Sequence, residues 1–292
     1  MSTSSGFLHR LENILVFRQG EHRAPHKPLY LLYCIGSLQH GLTRLQEFDS
    51  VCRVLGEALR RFGPPAVSVH PEYPFWRLQH DELAIVEADG PLDIRVSNND
   101  PKVSSLRKQN ARGGLVSDDY ELLLGNIELQ SIAVHKILDT HFPASIHDEI
   151  VRFFNLKLSD PHYKGMATEM EFRESVLAAY DNTCALTGYS LSFGGTHLGI
   201  EAAHLCWPQV GGNDHVSNGI AMTTLHRKLF HLGLFTVNCN FEIQVSNQVK
   251  GNTNSTLNLA ELHGKKIALP DNPLNHPNSK NLKWHSRWVF RG

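Results

Sequence analysis

One stretch, residues 184–237, constrains this chain more than any other, because it combines a strand, turns and a helix with well-spaced polar side chains. Its apolar segment LGIEAAHL is strand-like and places His204 directly before a break at a Trp-Pro pair. Turn-forming residues follow, and a second turn comes at Asn218. The segment AMTTLHRKLFHLG then predicts a short helix that ends at Gly233 and carries His226. The polar residues therefore arrive in the order His204, Asn218, His226.

This order suits the hydrolysis of a phosphodiester. The charge of the phosphate repels a nucleophile, so an enzyme must supply a base that deprotonates water and a cation that absorbs charge. Imidazole titrates near neutral pH and is a common metal ligand, so one histidine can serve each task. Asn218 can hydrogen-bond across the loop and hold the strand at a fixed distance from the helix.

The segment resembles the HNH nucleases, which have the ββα-metal fold. The residues that carry the resemblance are Glu201-Ala202-Ala203-His204, Asn218-Gly219, His226, Phe230 and Gly233. The resemblance implies that His204 is the general base, that Asn218 maintains the catalytic geometry, and that His226 binds a divalent metal ion, Mg²⁺ or Mn²⁺.

The remaining metal ligands stay open, because many HNH nucleases have Asp or His immediately before the base and this chain has alanine there. The candidates are Glu201, Asp214 and His231. His231 follows His226 by five residues, which is about 140° around an ideal helix, so it shares the site only if the helix frays or bends. The alternative is a surface histidine that complements the helix dipole.

Composition limits the class of protein. The 292 residues are enough for two domains, and 41% apolar and 20% charged residues describe a globular protein with a core. Any DNA binding must use local basic patches, because the net charge is only −1. Five scattered cysteines without a C-x-x-C pair predict thiols in a reducing compartment. Without an apolar run of ~18 residues or a secretory signal, we expect a cytoplasmic protein with no membrane partner.

The hydrophobic pattern predicts an α+β protein of two domains. Helices are predicted near residues 7–18, 29–41, 45–61, 118–126, 127–142, 145–156 and 169–180. Two strands, at 68–78 and 82–89, are predicted to form a hairpin. We therefore expect a mostly helical DNA-binding domain with a small β-hairpin at 1–155, a linker at 156–168, and the ββα-metal domain at 169–292.

Two stretches of the first domain predict its ligand. The segment HRAPHKP holds Arg23, His26 and Lys27 in a proline-rich basic loop, and YPFW places Tyr73 and Pro74 beside bulky aromatics. Together they resemble the sulfur-binding domain of restriction endonucleases that attack phosphorothioated DNA, in which sulfur replaces a non-bridging phosphate oxygen. The resemblance implies that Tyr73 and Pro74 contact the sulfur and that the basic loop contacts DNA.

Three arginines extend this predicted surface. Arg107 and Arg112 are candidates for base or phosphate contacts, because arginine can bind guanine in a bidentate fork. Arg77 is a further candidate, although a smaller residue would suit a sulfur pocket better. The segment YPFW could instead be a core strand, and HRAPHKP could be only a helix-capping loop.

The two modules together imply a type IV restriction endonuclease that recognises phosphorothioated double-stranded DNA and hydrolyses a nearby phosphodiester. A double-strand break then implies a homodimer or successive nicks. One alternative is an HNH enzyme directed to methylated or hydroxymethylated cytosine, whose flipped base YPFW could line. Another is a non-catalytic DNA-binding protein with a degenerate HNH fold, an option that Ala203 keeps open.

Overall fold

A computed structural model describes residues 3–15, 18–19, 22–23, 25–65, 68–159, 166–250 and 259–292, with the backbone alone at 18–19, 22–23 and 166–170. The chain divides into two compact units, Met1–Pro161 and His162–Gly292. The predicted linker, 156–168, includes residues 160–165, which lie outside the described residues. No described helix combines the length and the apolar character that crossing a membrane requires.

The first unit is mostly helical, as the hydrophobic pattern predicts. Its helices are α1 (Ser4–Glu12), α2 (His26–Gln39), α3 (Phe48–Phe62), α4 (Glu72–Arg77), α5 (Val103–Lys108), α6 (Ser117–Leu123), α7 (Ile127–His141) and α8 (His147–Phe153). Helix α2 is buried on nearly every side, which accounts for the continuous apolar run in its sequence.

The strands of the first unit form two small sheets. Strands β1 (Arg18–Gln19) and β2 (His22–Arg23) pair with each other, and an antiparallel sheet places β5 (Arg112–Leu115) between β3 (Gln46–Glu47) and β4 (Ala84–Glu87). The backbone of β5 passes close to the Phe75 ring, since a Cβ at Gly113 would lie only 2.7 Å from that ring.

The predicted strand over 68–78 is wrong, because YPFW lies in helix α4. Pro71 precedes this helix with helical backbone angles, and Pro74 occupies its first turn. Proline is tolerated there because its missing N–H would have no intrahelical partner. The predicted partner strand, β4, does form, but it pairs with β5.

The second unit contains two strands followed by a helix, which is the ββα arrangement predicted for it. Helix α9 (Met166–Ala179) precedes a small hairpin of β6 (Ser192–Phe193) and β7 (Thr196–His197), and then come β8 (Ile200–His204), β9 (Gly219–Thr223) and α10 (Thr224–His231). Strands β8 and β9 are antiparallel and pair His204 with Gly219. Gly219 has no room for a side chain, since a Cβ would lie 2.4 Å from Val176 Cγ2 on α9.

The end of the chain packs onto this core. Strands β10 (Phe235–Val237) and β11 (Ile243–Val245) form an antiparallel hairpin, and the final helix is α11 (Ser279–Trp288). Trp284 is buried with Cys206 and Val289, and Trp207 and Trp288 pack around them. The aromatic side chains near the end of α11 are therefore packed against the second unit's core. The α+β class predicted for the chain is confirmed.

Candidate active site and DNA-recognition surface

His204 lies at the end of β8 with a fixed ring plane. Its imidazole is buried and stacks on the Phe172 ring of α9, with the ring centroids 3.7 Å apart and the planes 12° from parallel. Its Nε2 lies 2.9 Å from Oδ1 of Asp214, a half-exposed carboxylate in the loop after β8. The geometry therefore joins the predicted general base to a residue that the sequence offers as a metal ligand.

Asn218 holds together the loop between β8 and β9. Its side chain is fully buried, and its amide NH₂ donates to the carbonyls of Cys206 and Asn213 at 2.9 and 2.7 Å. Its Oδ1 accepts from the Cys206 backbone N–H at 2.9 Å. These bonds close the loop around Asp214, so the Asn218 side chain determines where the partner of His204 lies.

His226 lies in the first turn of α10 and is 1% exposed. Its Nδ1 lies 2.8 Å from Thr223 Oγ1 and 3.9 Å from Cys184 Sγ. Its Nε2 is buried and has no hydrogen-bond partner among the described residues. A buried imidazole nitrogen without a partner is costly unless a ligand satisfies it.

The Cys184 thiol is the unusual neighbour of this imidazole. Burial raises the pKa of the thiol, but hydrogen bonds from His226, from Thr187 and from the backbone outweigh that effect and bring the pKa to about 7. Thiols are inert at neutral pH unless such interactions stabilise the thiolate. Cys184 is therefore a polar partner of His226 rather than only a small core residue.

His231 is buried rather than exposed, so a surface histidine at this position is excluded. Its Nε2 lies 3.3 Å from the carbonyl oxygen of His204, and its ring contacts the Trp207 ring edge to face. Burial lowers its pKa well below the ordinary value, and the charge of Arg227 acts in the same direction. A neutral His231 thus connects the end of α10 to the end of β8.

Glu201 is engaged by two arginines. Arg173 of α9 donates to its Oε2 at 3.1 Å and to the carbonyl of Ile200 at 3.0 Å. Arg227 of α10 lies 3.8 Å from the same carboxylate oxygen. The positive charge of these arginines competes with a cation for the carboxylate, which weakens the case for Glu201 as a metal ligand.

The described residues contain no group of three or more His, Cys, Asp or Glu side chains arranged to hold a metal ion. The unpartnered Nε2 of His226 nevertheless fits a metal ligand, because neutral imidazole nitrogen binds divalent cations. Asp214 and His231 contact His204 instead. The predicted ligand set beyond His226 therefore stays a prediction.

In the first unit, Tyr73 lies between two other planar groups. The His70 ring stacks on it with the centroids 4.9 Å apart, and the Arg77 guanidinium lies 4.4 Å from its centroid. Two guanidinium N–H groups of Arg77 donate to the buried Asp100, at 3.0 and 2.5 Å. This pair raises the pKa of Arg77. Asp100 therefore holds the Arg77 guanidinium in place over the Tyr73 ring. The neighbouring Pro74 is buried.

The predicted basic loop is only partly available to a ligand. Lys27 forms a largely buried ion pair with Asp81 at 2.6 Å. His26 is half-buried at the start of α2, and the side chain of Arg23 lies outside the described residues. The DNA contacts predicted for these residues stay predictions, and the Lys27 charge is already balanced by Asp81.

The two remaining arginines differ in their surroundings. Arg107 donates from Nε to Asp49 at 2.7 Å, and both side chains are more than half exposed. Arg112 is exposed on β5, where it lines a groove with Glu47, Glu87 and the Thr43 loop. Of the two arginines, Arg112 is thus the one that lines a surface groove, which it shares with the carboxylates of Glu47 and Glu87.

Comparison with known proteins decides the family. The profile of the ScoMcrA-like DNA sulfur-binding domain matches residues 4–159, which is more than half of the chain. The chain belongs to this family. A second profile, that of an HNH endonuclease, matches residues 184–238. This member of the sulfur-binding family is therefore an HNH-type DNA endonuclease, and the predicted resemblance to both families is confirmed.

Solved structures give similar matches. The sulfur-binding domain of ScoMcrA complexed with phosphorothioated DNA is 26% identical, covers 51% of this chain and 95% of its own, and has a TM-score of 0.46. The corresponding SprMcrA domain is 21% identical, with coverages of 53% and 95% and a TM-score of 0.45. The type IV phosphorothioation-dependent restriction endonuclease ScoMcrA is 21% identical, with coverages of 54% and 31% and a TM-score of 0.40. No curated protein matches.

Several site residues of this family member were not predicted from its sequence. Each of them contacts a residue that the sequence did predict. Phe172 contacts His204, Arg173 contacts Glu201, Thr223 and Cys184 contact His226, and His70 contacts Tyr73. The helical spacing of α9 indicates a buried face, but it does not indicate which strand that face meets. Thr223 alone carried a local signal, because threonine three residues before His226 is a typical N-cap.

Proposed function

We propose that this chain is a modification-dependent restriction endonuclease that binds phosphorothioated DNA through its first unit and cleaves a nearby phosphodiester through its HNH domain. One observation carries the proposal: a sulfur-binding family match and an HNH match occupy the same chain. The proposed domain limits are 1–155 and 169–292, joined by a linker. Two such chains, or successive nicks by one, would produce a double-strand break.

The surface around Tyr73 supports recognition of sulfur. Sulfur is larger, more polarisable and less well hydrated than oxygen, so an apolar and polarisable surface can distinguish the two atoms. The half-buried Tyr73 ring is such a surface, and the guanidinium of Arg77, which is held by two hydrogen bonds to Asp100, lies over it at 4.4 Å from the ring centroid. Because Pro74 is buried, Tyr73 is the more accessible member of the predicted pair.

His204 is the proposed general base. If Nε2–H donates to Asp214, the nitrogen that takes the proton from water is Nδ1. Asp214 then stabilises the imidazolium that forms, and the Phe172 stack keeps the ring in one plane. Asn218 maintains this arrangement by holding the loop that carries Asp214.

His226 is the proposed ligand of a divalent metal ion, through its unpartnered Nε2. A bound Mg²⁺ or Mn²⁺ would stabilise the negative charge that develops on the phosphate. Glu201, Asp214 and His231 have other partners in this structure, and they stay the proposed candidates for the remaining protein ligands.

Cleavage of paired plasmids tests the proposal. The full chain is incubated with Mn²⁺ and two plasmids of one sequence, of which one is phosphorothioated. We expect cleavage of the modified plasmid alone, and His204→Ala should lower the rate at least roughly a hundredfold. His197→Ala, on the exposed β7, is the matched control and should keep the wild-type rate.

Two outcomes would contradict the proposal. Equal cleavage of both plasmids would remove the dependence on sulfur, and full activity of His204→Ala would remove the assigned base. Selective cleavage of a plasmid that carries hydroxymethylcytosine without sulfur would favour a base-flipping enzyme instead.

A further inference from the structure

The neighbours of His226 carry an inference about how its imidazole is prepared for a ligand. A neutral imidazole has one proton, so only one of its nitrogens can offer a lone pair to a cation. Nδ1 has two polar side-chain neighbours, Thr223 Oγ1 at 2.8 Å and Cys184 Sγ at 3.9 Å, whereas the buried Nε2 has no hydrogen-bond partner among the described residues. The two nitrogens are therefore in very different environments.

Both neighbours can accept a hydrogen bond from Nδ1–H. Thr223 Oγ1 already accepts from the His226 backbone N–H at 3.2 Å as the N-cap of α10, so its lone pairs point toward this residue. The sulfur of Cys184 is buried on the core side. With the proton on Nδ1, Nε2 keeps its lone pair. With the proton on Nε2, a buried donor would have no acceptor, and no cation could relieve it.

We infer that Cys184 and Thr223 are positioning residues that hold the His226 proton on Nδ1 and thereby present Nε2 as the metal-binding atom. This inference rests on the proposed metal-dependent function. Cys184 lies in the loop between α9 and β6, Thr223 ends β9, and His226 lies in the first turn of α10. The packing of this loop against the β9–α10 junction therefore selects one tautomer. Partners of this kind, on the far side of a ligating histidine, typically change metal affinity 10–100-fold.

The tautomer can be observed directly by NMR of the ¹⁵N-histidine-labelled full chain without metal. The His226 signals are assigned by their loss in His226→Gln. We expect Nδ1–H in the wild type and in the conservative variants Cys184→Ser and Thr223→Ser. We expect a mixture, or Nε2–H, in Cys184→Ala/Thr223→Val. Cys184→Ala alone keeps the helix cap at Thr223, so it provides a second test if the double variant does not fold, and its share of Nε2–H should exceed that of the wild type.

Mn²⁺ binding, followed by electron paramagnetic resonance, supplies the second measurement. Affinity should fall roughly 10–100-fold in the double alanine-valine variant and recover in the double serine variant. A wild type with Nε2–H, or a double variant with unchanged tautomer and unchanged Mn²⁺ affinity, would overturn the inference. If the pair controls the tautomer but the wild type binds no Mn²⁺, the positioning role stands and the metal-dependent function fails.

Discussion

Acid should destabilise the second unit through His285, a fully buried histidine of α11. Its Nε2–H donates to the carbonyl of Phe230 at 3.0 Å, its Nδ1 lies 2.9 Å from Thr236 Oγ1, and its ring stacks on Phe230 with the centroids 3.5 Å apart. Burial lowers its pKa to about 3, and the hydrogen bond to Phe230 opposes the shift only partly. The folded protein therefore holds this imidazole neutral at every pH near neutrality.

The magnitude follows from proton linkage. In the unfolded chain the imidazole has an ordinary pKa of about 6.5, so below that pH the unfolded state binds a proton that the folded state rejects. The stabilisation is therefore complete above about pH 6.5 and is lost as the pH falls toward 3. Between pH 7 and pH 5, the free energy of unfolding should fall by about 2 kcal/mol from this group. This loss of about 2 kcal/mol depends little on the pKa of His285 in the folded protein, provided that this pKa lies well below 5.

Urea unfolding followed by tryptophan fluorescence measures the effect, since three of the four tryptophans, Trp207, Trp284 and Trp288, lie in the second unit and only Trp76 lies in the first. His285→Asn should be less stable at pH 7 but should lose about 2 kcal/mol less than the wild type between pH 7 and pH 5. His197→Asn, on the exposed hairpin, is the control. If wild type and His285→Asn lose the same free energy, the imidazole is not held neutral and the docking of α11 described above is wrong.

Three further predictions concern the other structural contacts. Asn218→Ala should lower the free energy of unfolding by roughly 3 kcal/mol, because three hydrogen bonds, two of them buried, lose their partner. A loss below about 1 kcal/mol in urea unfolding would contradict this prediction. Gly219→Ala should cost about 1–3 kcal/mol, since the new methyl overlaps a side chain of α9, and an unchanged thermal midpoint would refute that overlap. Arg77→Lys should weaken binding to a sulfur-containing duplex roughly tenfold, because lysine cannot keep the bidentate contact to Asp100 that holds a cation over Tyr73. Fluorescence anisotropy checks the last prediction, and equal affinity of the two proteins would refute it.

Local pattern predicts the elements that depend on short-range periodicity. The helices and the ββα segment form, because apolar spacing and turn residues act over a few positions, although α1 ends at Glu12 and not near residue 18. The strand predicted for YPFW was wrong because two local signals conflict there. Bulky aromatic residues favour a strand, whereas Pro71 and Pro74 are both compatible with the start of a helix. Its conformation was decided by packing, because Phe75 lies against Tyr30 and Phe48 in the core.

The sequence alone determined the order His204, Asn218, His226 and the family of the fold, since these depend on residue identity and spacing. Only the tertiary structure decided that Asp214 contacts His204, that His231 is buried, and that two arginines occupy Glu201. Such choices depend on contacts between residues far apart in the chain, and on the burial that these contacts create. Sequence spacing therefore identifies the candidate catalytic and metal-binding residues, and tertiary contacts determine which of their polar atoms are available for a substrate or a metal ion.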